Sequence, residues 1–139
     1  MEKYKFLTRI KCLIKDIEEQ ILVTYNSINE FHKREDKIPQ YLYDSNVKKY
    51  EFGKTLFNQG KMKMEKMIHE DNYSNMIIDC IRDRYFIKSK RYFEESYIIF
   101  HVYRKYSSKE IILTEIMTNF RLLFIYINEV SELLTLLKA

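Results

Sequence analysis

Apolar residues recur at steps of three and four along residues 4–32, the spacing that places them on one side of an α-helix. The stripe consists of Phe6, Ile10, Leu13, Ile17, Ile21, Thr24, Ile28 and Phe31, and Lys11, Lys15, Glu18 and Glu19 lie off it. A charged run over residues 32–37 and then Pro39 end the pattern, because proline disfavours a helical conformation in the residue before it. The pattern predicts a first amphipathic helix over residues 4–32.

A weaker period predicts a second helix over residues 45–69. The apolar residues that can share a face of it are Val47, Tyr50, Phe57, Met64 and Ile68. Gly53 and Gly60 are seven positions apart and lie near one another on this helix, where each costs about 1 kcal/mol relative to alanine. Two interpretations stay open at this stage: a tolerated weak point, or the close approach of another helix.

A third helix is predicted from about Tyr73 to Tyr106. The residues whose side chains could cap its first turn are Asp71, Asn72 and Ser74. Residues 97–103 are rich in strand-forming types, so a short strand is the competing prediction. Helix is favoured because no turn residue interrupts the segment and a lone strand would have no partner.

The sequence Ser-Ser-Lys-Glu at residues 107–110 has the form of a capping box at the start of a fourth helix. In that motif Ser107 accepts from the backbone N–H of Glu110, and Glu110 reaches back to the amide of Ser107. The stripe that follows consists of Leu113, Ile116, Met117, Phe120, Leu123, Phe124, Ile127, Val130, Leu134 and Leu137. This continuous apolar stripe predicts the fourth helix.

Four amphipathic helices with short connections predict an all-α fold, a four-helix bundle with up-down-up-down order, formed by residues 1–139 as a single domain. The composition supports this fold class, because the chain has only 2 glycines and 1 proline. An all-β sandwich or barrel needs many tight turns, and a P-loop or Rossmann site needs glycines. Both alternatives are disfavoured by this count.

The net charge of +4 is mildly basic and by itself gives weak support for a nucleic-acid partner. Cys12 and Cys80 show no metal-ligand spacing, and both fall on apolar helical faces, where core packing is expected. Two lone thiols fit a reducing compartment, which predicts a cytoplasmic location. The N-terminus lacks the apolar stretch of a secretory signal, and the apolar run at residues 122–128 is too short to span a bilayer.

The sequence shows no pattern that is typical of a catalytic, cofactor or metal site. None of the three histidines follows a glutamate at the Glu-x-x-His spacing of di-iron bundles, and none follows an arginine at the spacing found in some helical-bundle ribonucleases. Glu65 and His69 lie one turn apart and are expected to form a solvated contact. No serine lies in a glycine-flanked elbow. We therefore predict a non-enzymatic protein without metal or cofactor.

Residues 82–106 combine basic and aromatic side chains on the third predicted helix. At 100° per residue, Arg84, Lys88 and Arg91 fall within about 60° of one another. The aromatic residues on the opposite side are Phe86, Phe93, Tyr97 and Phe100. Two ion pairs at i, i+4 are also predicted, joining Lys90 to Glu94 and Arg91 to Glu95. The favoured interpretation is a core of rings beneath a solvated basic face, and the alternative is a surface for an anionic partner.

The residues predicted to contact a partner are Arg84, Lys88, Lys90, Arg91, Arg104 and Lys105. The leading functional hypothesis is an interaction module, an assembly subunit, adaptor or inhibitor, that docks on a larger protein. One alternative is an RNA- or ribosome-associated factor that uses the basic side of residues 82–105, with phosphates on the cations and tyrosines stacked on bases. Another is a viral or mobile-element mimic of a host helical regulator, which the AT-biased composition permits. No membrane partner is expected, and the oligomeric state is left open.

Overall fold

The computed structural model describes residues 2–35, 37–107 and 109–138, and these ranges are helical with no strand. The helices are α1 (Glu2–Arg34), α2 (Gln40–His69), α3 (residues 75–103) and α4 (Glu110–Leu136). The third helix joins three consecutive segments, Asn75–Asp79, Cys80–Ile87 and Lys88–Tyr103, of which the middle one is a π-helix. The four helices pack around one shared apolar core, as in a helical bundle. The expected all-α class is therefore confirmed.

The apolar stripe of α1 lies in the core as predicted, whereas α2 begins earlier than the sequence indicated. Helix α2 starts at Gln40 rather than near residue 45, directly after Pro39. Pro39 has φ −56°, a value that suits the start of a helix, so the proline that was expected only to end the first pattern also initiates the second helix. The added turn brings Leu42 against the core.

The two predicted helix starts have different outcomes. Ser74 caps α3, since its Oγ accepts from the backbone N–H of Ile77 at 3.3 Å. The capping box at the start of α4 is wrong, because Lys109 occupies the N-cap position without a side-chain cap. The Ser107 Oγ accepts instead from the backbone N–H of Lys109 at 3.1 Å, and Glu110 forms an ion pair with Arg104 at 3.2 Å. Ser108 lies outside the described residues.

Large aromatic rings from all four helices fill the centre of the core. The fully buried ones are Phe31, Tyr50, Phe57, Phe86, Phe93, Phe100, Tyr103 and Phe120. The cysteines do not join them: Cys12 is exposed and Cys80 is half-buried. The expectation of core packing is wrong for Cys12 because this residue lies just off the buried stripe that contains Leu13.

Helices α2 and α3 approach each other closely at the two glycines of α2. A Cβ atom on Gly53 would lie 2.9 Å from Cδ1 of the Phe93 ring, and one on Gly60 would lie 2.7 Å from Cβ of Tyr85. The Oγ of buried Ser89 donates to the carbonyl of Gly53 at 2.6 Å and joins the two backbones directly. Close helix approach is therefore the correct interpretation of the glycine spacing.

The π-helical segment of α3 corrects a break in the apolar period of that helix. The buried residues Ile81 and Phe86 are five positions apart, a step that would separate them on an α-helix. A π-turn bonds residue i to residue i+5 and so returns such a pair to one side. Gly60 lies against this segment, where the absence of a side chain leaves room for the wider turn. The phase change lets both ends of α3 bury apolar residues on the same side.

Helix α1 packs mainly on α4, and α2 packs mainly on α3. Three polar contacts join α1 to the α4 side: Arg9 to Glu129 at 2.8 Å, Gln20 to the carbonyl of Asn119 at 3.2 Å, and Lys109 Nζ to the carbonyl of Arg34 at 2.6 Å. Helices α1 and α2 have few direct contacts, although they are consecutive in the chain. The core is thus built from two tight helix pairs.

We expect Gly60→Ala to lower the free energy of unfolding by about 1 kcal/mol or more, although alanine is the better helix former. The reason is that the new methyl group would meet Cβ of Tyr85, an atom fixed to the backbone of α3. Urea denaturation followed by circular dichroism measures the change. The control is Gln59→Ala at the exposed neighbouring position, which should stay within about 0.5 kcal/mol of wild type. A more stable Gly60→Ala protein would contradict the close packing.

Candidate interaction surface

Three of the predicted partner residues form an exposed basic stripe on α3. Arg84, Lys88 and Arg91 are exposed, and none of them has an acidic side chain within ion-pair distance among the described residues. The predicted pair between Arg91 and Glu95 is wrong, because Glu95 binds Lys49 of α2 at 2.9 Å. The close approach of α2 therefore removes the acidic partner that the sequence suggested and leaves Arg91 facing solvent.

Lysines of α2 lie over aromatic rings along the junction of α2 and α3. The ammonium of Lys49 is 5.6 Å from the ring centroid of Tyr92, and that of Lys63 is 5.6 Å from the ring centroid of Tyr85. Phe52 lies 5.3 Å from Tyr92 between ring centroids. Such distances suit cation–π attraction, which at exposed sites is worth about 0.5–1 kcal/mol. The junction thus presents alternating cations and rings.

The basic stripe and this junction form one surface, which we call the α2–α3 face. Its residues are Lys48, Lys49, Phe52 and Lys63 of α2 and Arg84, Tyr85, Lys88, Arg91, Tyr92 and Glu95 of α3. Lys88 connects the two parts, because it lies one helical turn from both Arg84 and Tyr92. Six of these side chains are basic and one is acidic, so the face has a strong positive charge although the whole chain is only mildly basic.

The other three predicted partner residues lie elsewhere. Lys90 is two helical turns before Tyr97, whose ring contacts Phe124 of α4, and it forms the predicted pair with Glu94 at 3.7 Å. Arg104 and Lys105 follow the end of α3, at the connection to α4. Arg104 is engaged there by Glu110. The structure therefore brings Arg84, Lys88 and Arg91 together and separates them from Lys90, Arg104 and Lys105.

The aromatic sector predicted opposite the basic stripe is confirmed. Phe86, Phe93 and Phe100 are fully buried, and Tyr97 is half-buried. The sequence analysis missed Phe52, whose residue surface is 43% exposed on the α2–α3 face. Its position off the apolar stripe of α2 was the available signal.

A second surface feature is the α1–α2 groove, a line of three cavities between these two helices. The cavities have volumes of about 540, 150 and 530 Å³ and extend from the start of α2 to its last turns. Their walls mix both charges, and Lys61 bridges Glu18 at 3.0 Å and Glu65 at 3.8 Å. Glu65 is thus held by Lys61 in addition to lying one turn from His69. Lys61 is therefore compensated by two carboxylates, whereas Arg84, Lys88 and Arg91 of the α2–α3 face have no such partner among the described residues.

The fold half-buries His32 and thereby changes the pKa of its imidazole. Its ring is half-buried among Tyr43, Phe31 and Tyr103, with 4.2 Å between the centroids of His32 and Tyr43. The amide nitrogen of Asn46 lies 3.4 Å from Nε2 and donates to it, while the amide oxygen accepts from Ser96. A neutral imidazole suits this arrangement, and burial lowers the pKa of His32 to about 4.

We expect the folded state to lose stability as the pH falls from about 6.5 to about 4, because His32 takes up a proton in the unfolded chain but not in the folded one. Above pH 6.5 the imidazole is neutral in both states, so this contribution is constant. Thermal unfolding of wild type and His32→Gln at several pH values isolates the effect from carboxylates common to both proteins. The difference between the two should shift in favour of the variant as the pH falls. A difference that stays constant over this pH range would contradict the burial of a neutral His32.

No cluster of three or more His, Cys, Asp or Glu side chains that could hold a metal ion occurs in the part of the chain that the structure describes. No helix in the same ranges combines the length and apolarity that a membrane crossing needs. Comparison of the chain with protein-family models, with curated protein sequences and with solved structures found no match.

Proposed function

We propose that the protein is a non-enzymatic interaction module that binds an anionic partner through the α2–α3 face. The observation that carries this proposal is the set of three exposed cations, Arg84, Lys88 and Arg91, beside the lysine–ring junction. Cations on a helix attract negative charge, and because the backbone that carries them is already fixed, only their side chains have to be ordered on binding. A partner with matching negative charge would give these side chains the ion pairs that Glu95 gives to Lys49.

The proposal includes a scaffold with up-down-up-down order that folds as a single domain. Its support is that the contacts between paired helices follow the antiparallel order: as the residue number increases along one helix, the number of its contact on the other helix decreases. Along α2 and α3 the contacts are Tyr103 with the carbonyl of Leu42, Ser96 with Asn46, and Ser89 with the carbonyl of Gly53. The α1–α4 contacts follow the same rule, and short connections favour antiparallel neighbours.

Two kinds of partner carry the required charge. One is a larger acidic protein, on which the module would act as an assembly subunit, adaptor or inhibitor. The other is RNA, free or in a ribosome, which the exposed Phe52 and the lysine–ring pairs favour because bases stack on rings. The third hypothesis, a viral or mobile-element mimic of a host helical regulator, is supported only by the AT-biased composition.

We expect the combined changes Arg84→Gln, Lys88→Gln and Arg91→Gln to reduce partner recovery at least tenfold. The three side chains are exposed, so the core is unchanged and the loss reflects removed charge. Tagged proteins would be used to capture partners from an extract of the native host at low salt, with both protein and nucleic acid quantified.

The matched control removes the same charge from α1, by Lys5→Gln, Lys11→Gln and Lys15→Gln at three exposed positions. This control should retain the partner. Equal recovery by both triple variants and by wild type would contradict the assignment of the α2–α3 face. Circular dichroism and thermal unfolding of each variant verify that folding is preserved.

A further inference from the structure

We infer that the partner held by the α2–α3 face is a single-stranded nucleic acid, with phosphates on the cations and an unpaired base on Phe52. This inference rests on the proposed function and names the chemistry of its partner. It depends on three features of the face: uncompensated charge, an exposed ring between cations, and a rigid helix pair.

The charge of the face is arranged in two rows that an extended phosphate chain could follow. The α3 row consists of Arg84, Lys88 and Arg91, and the α2 row consists of the adjacent Lys48 and Lys49 and of Lys63, which is about 21 Å further along the helix at 1.5 Å per residue. Of these cations, only Lys49 has an acidic partner within the described residues, which is Glu95. Lysine and arginine side chains placed in this way can contact successive phosphates, and such contacts do not require a particular base sequence.

The exposed ring of Phe52 makes the α2–α3 face different from a surface that carries charge alone. Phe52 is 43% exposed, and the ammonium of Lys48 lies 5.8 Å from its ring centroid. A stacked base would cover the apolar ring while Lys48 turns to the adjoining phosphate, so both groups gain a partner. On an acidic protein the lysine and the ring would need two separate residues as partners, whereas each nucleotide carries a phosphate and a flat base together. Unpaired bases are free to stack in this way, which favours a single strand over a duplex.

The packing of α2 on α3 holds the two rows at a fixed separation. Gly53 and Gly60 bring the backbones close, and the Ser89 hydrogen bond joins them beneath the surface. The ring of Tyr92 joins α3 to α2, since it contacts Phe52 and lies below Lys49. Rigid placement of cations and rings reduces the entropy lost on binding.

Fluorescence anisotropy with labelled 15-nucleotide oligo(U), oligo(dT) and a duplex of the same length tests the inference on the full chain. We expect both single strands to bind more tightly than the duplex. Their affinity should fall about twentyfold between 50 and 200 mM salt if three phosphates are contacted, from the single-strand slope of roughly −0.7 per contact. The Gln triple variant of α3 should abolish most of this salt dependence, and the α1 triple variant should keep it. The ratio of oligo(U) to oligo(dU) affinity, measured in the same way, shows whether the face distinguishes ribose from deoxyribose.

Single variants at Phe52 and at Glu95 test the ring and the acid of the face separately. Phe52→Ala should weaken single-strand binding about tenfold and Phe52→Tyr should restore it, because stacking needs only a ring. Tyr4→Ala, at an exposed tyrosine of α1, is the control and should bind as wild type does. Glu95→Gln releases Lys49 and removes the only acid of the face, so it should tighten binding a few-fold at low salt. A gain of affinity in a variant whose circular dichroism and thermal unfolding match those of wild type is not explained by damage to the fold.

The outcomes distinguish this inference from the proposed function on which it rests. If the Gln triple variant of α3 loses a captured protein that resists nuclease, and no oligonucleotide binds in a salt-dependent way, the nucleic-acid inference is overturned and the interaction module stands. If neither capture nor oligonucleotide binding responds to the triple variant, both are overturned. Single-strand binding that requires the α3 cations and the Phe52 ring supports both.

Discussion

The close approach of α2 and α3 at two glycines is the constraint on which the rest of the structure depends. Side chains at Gly53 or Gly60 would overlap Phe93 or Tyr85, so the absence of a Cβ atom sets the distance between these helices. Ser89 uses that proximity to donate to the Gly53 carbonyl. The helix propensity lost at each glycine, about 1 kcal/mol, is offset by burial of the rings that pack against it.

This contact between α2 and α3 determines the form of both the α2–α3 face and the α1–α2 groove. Because α2 packs closely on α3, Lys49 reaches Glu95 and lysines lie over the rings of Tyr85 and Tyr92. Helix α2 is correspondingly less engaged with α1, and the α1–α2 groove remains between them. The placement of the basic side chains beside one another on the α2–α3 face is thus a consequence of core packing between two particular helices.

Buried hydrogen bonds join α2 to both of its neighbours, α1 and α3. Tyr50 donates to the carbonyl of Ile21 in α1, and burial raises the pKa of its hydroxyl, which keeps the group a donor. Asn46 connects Ser96 of α3 to His32 of α1 in the same way. Every buried side-chain nitrogen and oxygen in the described residues has a partner, as the high cost of an unpaired buried polar group requires. These bonds specify how α2 sits between α1 and α3.

The sequence by itself determined the number of helices, most of the buried stripe on each, and the separation of rings from cations in residues 82–106. Helical periodicity is a local property, so these features follow from the spacing of apolar residues. Tertiary structure decided which helices pair, and with that the choice between Lys49 and Arg91 as the partner of Glu95. It also decided the π-helical phase change, the failure of the Ser107 capping box, and the exposure of Phe52 beside the basic stripe. Each of these depends on side chains distant in sequence, whose contacts a local pattern does not contain.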